Sequence, residues 1–216
     1  MTRKRWLIGL GLIAMFAAAC DDGEGDALTP EEAAALAKLI GEASVGPVLG
    51  ETVGALPPNG PAPTAHAGGV KEYDFDKPCS EGGSVNLAGR AEFEFGEDGG
   101  TVRIEGTVDF EDCAEKTDEG VTFTLNGRIG HQLAAVVSYS DGHVRVEVDG
   151  SANGSVAWKN EDDGGSGVCE VDVTIDVTVE VDKEAGTWEM EGGITGTVCG
   201  ISVEADAKDW LKKGWK

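Results

Sequence analysis

The chain has 216 residues, with 40 Asp+Glu against 17 Lys+Arg and a formal net charge of −23. A surface of that sign repels phosphate backbones and anionic headgroups, which weighs against nucleic acid as a partner and favours solubility. The 33 glycines and 6% aromatic content point to turns and thin strands rather than to a helical bundle.

The chain opens MTRKRWLIGLGLIAMFAAAC. Arg3, Lys4 and Arg5 form a basic segment, Trp6 to Phe16 an apolar one, and Ala17, Ala18 and Ala19 a small-residue segment before Cys20. That order is a secretory signal, and its apolar run falls short of the roughly 20 residues a helix needs to span a bilayer. With a cysteine directly after the small residues, the segment resembles the signal peptides of bacterial lipoproteins, although Ala17 stands where that family usually has Leu. The resemblance covers residues 1 to about 22. It implies cleavage between Ala19 and Cys20 and lipidation of the Cys20 thiol. It also implies a place in the bacterial cell envelope, membrane-anchored and facing the periplasm or the cell exterior. Asp21 resembles an inner-membrane retention signal of enteric bacteria. Two or three acyl chains anchor firmly, because each buried CH₂ contributes about 0.8 kcal/mol. Removing residues 1–19 takes away three of the 17 basic residues and none of the 40 acidic ones, so the mature chain is more acidic still.

Residues 21–28 read as an acidic, glycine-rich spacer. Thr29-Pro30-Glu31-Glu32 then reads as a helix start, with Thr29 as cap, Pro30 at the first helical position and Glu32 closing a capping box. The helix is expected to run to about Ala43 with Leu36, Leu39 and Ile40 on one face. Ser44 to Val70, with Pro57, Pro58, Pro61 and Pro63, reads as a Pro/Gly/Ala-rich linker. Fully stretched, it would span about 90 Å.

From Lys71 the periodicity changes to two. Val85, Leu87, Gly89, Ala91, Phe93 and Phe95 alternate with polar or small residues, and Val102, Ile104, Gly106, Val108 and Phe110 repeat the pattern after a loop at Gly96–Thr101. Pairing Phe95 with Val102 sets Leu87 against Phe110 and puts the apolar side chains on one face. Val121, Phe123, Leu125 and Ile129 continue the pattern, and Leu133–Ser140 leads to Asp141-Gly142, a two-residue hairpin turn. Tyr139 then faces Val144 and Ala135 faces Val148. The return strand runs on through Ala152 and Trp158, with a bend near Gly150 or Gly154. After the acidic loop Asn160–Gly167, Val171 to Val181 alternate strictly with Asp, Glu and Thr. Pairing Val181 with Trp188 folds that strand onto the next. The phase shift at Ile201 and Val203 suggests a bulge near Gly192-Gly193 or Gly200. The chain closes in a Trp/Lys tail, 208–216, whose tryptophans and basic residues suit contact with a membrane or an acidic partner; the preferred reading is that Trp210 packs over one end of the sheet.

Four cysteines follow Cys20: Cys79, Cys113, Cys169 and Cys199. Export and an even count argue for two disulfides, and no pair has the C-x₂-C spacing of a zinc site. Hairpin pairing brings Cys79 beside Cys113 and Cys169 beside Cys199, so those bridges are expected.

Candidate chemistry is sparse. His66 lies in the linker, while His131 falls opposite Ala152 and away from His143. No G-x-S-x-G, HExxH or phosphate-loop pattern occurs in the sequence. Carboxylates crowd every strand, which makes no pair informative. Two acidic glycine loops, Gly96–Gly100 and Glu161–Gly165, have oxygen ligands suited to Ca²⁺ but match no known calcium-loop spacing. The expected fold is an all-β antiparallel meander over 71–207, folded as a sandwich or barrel, with one short N-terminal helix after the anchor. The expected function is a non-catalytic interaction or structural module on a membrane lipid anchor, with no cofactor, no metal and an envelope protein as the candidate partner. A lipocalin-like carrier of an apolar ligand is the alternative, with inward glycines Gly89, Gly106, Gly127 and Gly154 leaving a lumen; a secreted hydrolase ranks third.

Overall fold

The computed structural model describes residues 27–54, 67–117, 120–140 and 142–210. The segment expected as a signal, Ala19 and Cys20, His66 and the end of the tail lie outside these residues. The described chain is helix α1 (Pro30–Gly54), then eight strands, β1 (Ala67–Pro78), β2 (Gly82–Gly96), β3 (Gly99–Lys116), β4 (Thr122–Ser140), β5 (His143–Asn160), β6 (Ser166–Asp182), β7 (Thr187–Val198) and β8 (Ile201–Asp206), then a short α2 (Ala207–Trp210). The strands form one antiparallel sheet in the order β1 to β8, each paired with its sequence neighbour. This is the expected meander, built as a single open sheet.

Strict alternation gives the sheet one apolar face. Along β6, Val171, Val173, Ile175, Val177 and Val179 are buried, while Glu170, Asp172, Thr174 and Asp176 are exposed. Among the described residues no second sheet covers that face. The cover is α1, which packs against β7, β8 and α2 and also touches β3. In a flat sheet β3 and β8 would stand about 24 Å apart, whereas a helix is about 10–12 Å across. The sheet therefore curls around the helix.

The composition of α1 fits that position. Ala33, Leu36, Ala37, Ile40 and Val45 are fully buried, and no residue from Glu32 to Val45 is exposed. A helix apolar on most of its circumference needs neighbours on most sides. The expected cap is present: Thr29 N–H donates to Glu32 Oε2 (2.8 Å) and Glu32 N–H donates to Thr29 Oγ1 (3.2 Å). The helix continues past Gly46-Pro47 to Gly54, taking up part of the stretch expected as linker.

Both expected disulfides are present, Cys79–Cys113 and Cys169–Cys199, with Cα–Cα distances of 5.5 and 4.5 Å. The first depends on a bulge. The β3–β4 register shifts between Phe110 and Cys113, with Asp112 at φ 46°, so Phe110 and Cys113 are both buried although three positions apart. Asn126 holds the bulge: its Oδ1 accepts from Asp112 N–H (2.9 Å) and its Nδ2 donates to Asp112 Oδ1 (3.0 Å).

The registers of β4 on β5 and β6 on β7 are as expected, with Tyr139 facing Val144 and Val181 facing Trp188. Two details differ. Phe95 faces Gly100 and Leu87 faces Val108, because the chain reverses in two residues, Glu97 and Asp98, instead of a longer loop. The even slip preserves the buried face. At the far end, the phase shift comes from a new strand. Cys199 (φ 53°) and Gly200 (φ 73°) both take left-handed backbone and form a two-residue hairpin turn that sets Val198 against Ile201.

Ile40→Ala should cost about 2–5 kcal/mol of unfolding free energy in urea titration, as for a core residue. A cost below about 1 kcal/mol would mean that α1 merely rests on the domain.

Candidate functional site

One row across the inner face differs from the aliphatic rows around it. Tyr73 on β1 pairs with Gly89 on β2, Gly89 with Gly106 on β3, and Gly106 with His131 on β4. The two facing glycines leave a strip of bare backbone two strands wide. Tyr73 lies across it. A Cβ added to Gly89 or Gly106 would stand 2.5 or 2.4 Å from the Tyr73 hydroxyl. No side chain fits at either glycine while the ring stays there. At the end of its reach, Tyr73 Oη meets His131 Nε2 at 3.1 Å.

This hydrogen bond ties edge strand β1 to β4 over the two strands between them. His131 is 2% exposed, and its Nδ1 has no hydrogen-bond partner. Whichever nitrogen carries the proton, one ring nitrogen is unsatisfied in an apolar setting, at a cost of roughly 1–3 kcal/mol. Burial lowers the His131 pKa to about 4, so the ring is neutral at pH 7. Burial also raises the Tyr73 pKa above its ordinary value. The pair is thus an uncharged polar clasp. Among the described residues, no carboxylate orients the imidazole and no nucleophile bonds to it, which are the companions a histidine base needs.

The acidic loop after β5 is engaged with the protein itself. Asp162 Oδ2 accepts from Thr122 N–H (2.8 Å) and Asp163 Oδ1 accepts from Gly165 N–H (2.8 Å). Glu161 accepts from Thr124 Oγ1 (2.7 Å) and Lys159 Nζ (2.5 Å), and those bonds, Lys159 first, hold its carboxyl below the usual range. At the head of the loop, buried Asn160 donates through Nδ2 to Glu32 Oε1 (2.8 Å), fastening the start of α1 to the end of β5. In the other acidic loop, Glu97 and Asp98 form the two-residue turn, and Asp98 C=O accepts from Tyr139 N–H (3.0 Å).

Sequence reasoning set His131 opposite Ala152, where it lies, but missed Tyr73 as its partner. The available signal was weak: a tyrosine in β1 aligned by register with two glycines. Of the expected site residues, Cys79, Cys113, Cys169 and Cys199 are joined at one pole of the sheet, while Ala19 and Cys20 lie outside the described residues. That pole also carries the turns after β1, β3, β5 and β7 and the start of α1.

Tyr73→Phe should lower stability by about 1–2 kcal/mol at pH 7, since it leaves buried His131 without its partner. A pH dependence follows from burial. The folded-state pKa, about 4, lies below the unfolded value, so the stability owed to neutral His131 is whole above the unfolded pKa and is lost as pH falls towards 4. Between pH 7 and 5 the wild type should lose about 2 kcal/mol more than His131→Gln. Equal losses in paired urea titrations would rule the effect out.

Comparison with known protein families, with curated proteins and with solved structures finds no match to this chain.

Proposed function

We propose that the protein is a lipid-anchored envelope protein whose β domain works as a non-catalytic interaction or structural module. The observation that carries this reading is the cysteine arithmetic. The four cysteines of the domain close on one another, Cys79 with Cys113 and Cys169 with Cys199, which leaves Cys20 as the odd one of five. Cys20 is also the residue that the basic, apolar and small segments of the N-terminus lead up to. Closed disulfides suit an oxidising compartment, in keeping with export.

The non-catalytic part rests on the clasp geometry. Neutral His131 is buried against Tyr73, and the loop carboxylates bond the protein's own N–H and O–H groups. The carrier alternative needs an empty apolar interior. On the inner face α1 packs against β7, β8 and β3, and Tyr73 roofs the strip at Gly89 and Gly106 that a lumen would use. Gly127 and Gly154 lie against strand backbone, where an added Cβ would come within 2.6 and 2.3 Å of carbonyl oxygens. These glycines support close packing over a lumen.

Cys20→Ala should move the protein from the membrane to the soluble fraction and abolish incorporation of labelled fatty acid. Retention of the variant in the membrane fraction would overturn the anchor assignment.

A further inference from the structure

We infer that the tether between membrane and domain is short, residues 21–27, and that it orients the domain with its disulfide pole towards the bilayer and its opposite hairpin tips outward. This inference rests on lipidation at Cys20. The stretch at 44–70 invites a different picture, a helix near the membrane and a β domain on a long leash. The packing of α1 removes that picture. The helix belongs to the same hydrophobic cluster as the strands, and Leu28, just ahead of it, is buried as well. Any chain that follows α1 joins two parts of one body.

The geometry then follows from lengths. From Cys20 to Leu28 the chain can reach at most about 28 Å, at about 3.3–3.6 Å per residue. It meets the domain at a defined place. The Thr29–Glu32 cap and the Asn160–Glu32 bond fix the start of α1 beside the β5–β6 loop. Both disulfides and the turn at Cys199-Gly200 share that pole. At the other pole are the turns at 97–98, at Gly142 and at 183–186. Strands of 17 to 19 residues separate the two poles. At about 3.3 Å per residue and the tilt of about 35–45° usual in curled sheets, that is about 40–50 Å. The reach of the tether is shorter than the domain is long, so the domain cannot turn its far pole to the lipid.

The far pole is built to hold a shape. Asp98 C=O accepts from Tyr139 N–H (3.0 Å), and Gly142 C=O accepts from Lys183 N–H (3.0 Å), which links successive hairpin tips. Lys183 Nζ stands 6.0 Å from the centre of the Tyr139 ring. Trp188, on the strand leaving the last tip, is 40% exposed, and Val70, near the start of β1, is 55% exposed. On this inference the outward surface combines fixed tips with exposed apolar groups, while the pole carrying Glu81 and Glu161–Asp163 faces the lipid from a distance.

The test uses the full chain, extracted with its lipid and reconstituted into phosphatidylcholine vesicles that carry a headgroup energy acceptor. A clickable donor replaces either Glu81, at the disulfide pole, or Glu97, at the far pole; both are exposed, and neither labelling consumes a cysteine. Transfer from position 81 should be several-fold greater than from position 97. Inserting a long Gly/Ser segment between Asp26 and Ala27 should bring the two values together, because a flexible coil lets the domain tumble. Co-flotation with equal transfer from both positions would overturn the proposed orientation while leaving the anchor standing. Failure to float with the vesicles would overturn the anchor, and the inference with it.

Discussion

One constraint governs this structure: a single sheet with one apolar face has to be covered, and among the described residues α1 is the one long helix that packs on it. Alternation along β2 to β8 makes an inner face rich in Val, Ile and Leu. That much apolar surface cannot stay in water, because each Å² buried is worth about 25 cal/mol. A flat sheet would leave most of it exposed beyond the width of α1. Curling brings distant strands onto the same helix and closes the core without a second sheet. Small residues on α1, with Ala33, Ala35 and Ala37 buried beside Leu36 and Ile40, let the helix sit close to the strands.

The open order of the sheet creates an edge problem at β1, and the residues there answer it. An unpaired strand edge invites pairing with another chain. Lys71 and Lys77 share the inner phase of β1 with Tyr73, so the strand carries inward charges at its edge; Pro78 ends it. Tyr73 meanwhile reaches over Gly89 and Gly106 to His131, giving the strand a hold beyond its ladder to β2. The clasp is costly, since His131 Nδ1 is unsatisfied, and burial disfavours the charged form of its ring.

Much of the fold was legible because its information is local. Asp141-Gly142 and the Val/Asp/Thr alternation of β6 set their own turn and faces, so the registers there were readable, and the cysteine pairs followed from hairpin ends meeting. Legibility failed where one local signal had two outcomes. The glycines at 96–100 allow a tight or a wide turn of the same parity, and the register differed by an even step. Cys199-Gly200 does not look like a common left-handed turn pair, so a new strand was read as a bulge. The helix was expected to end near Ala43, yet α1 continues through Gly46-Pro47 to Gly54. Of the candidate site, His131 and its strand neighbour were legible, but the tyrosine that meets it was not.

The sequence by itself determined the strands from β2 to β7, which face each of them turns inward, where most hairpins reverse and which cysteines meet. Alternation and turn chemistry act between near neighbours and need no knowledge of the whole. Only the tertiary structure decided what covers the face those strands create. Tyr73 and His131 are 58 residues apart and join only after three strand pairings have set them in one row. The role of α1 likewise depends on its surroundings: the same alanine-rich helix is a spacer in water and a core inside a curled sheet. Burial of a segment is a property of its neighbours, and those neighbours are assembled from the far end of the chain.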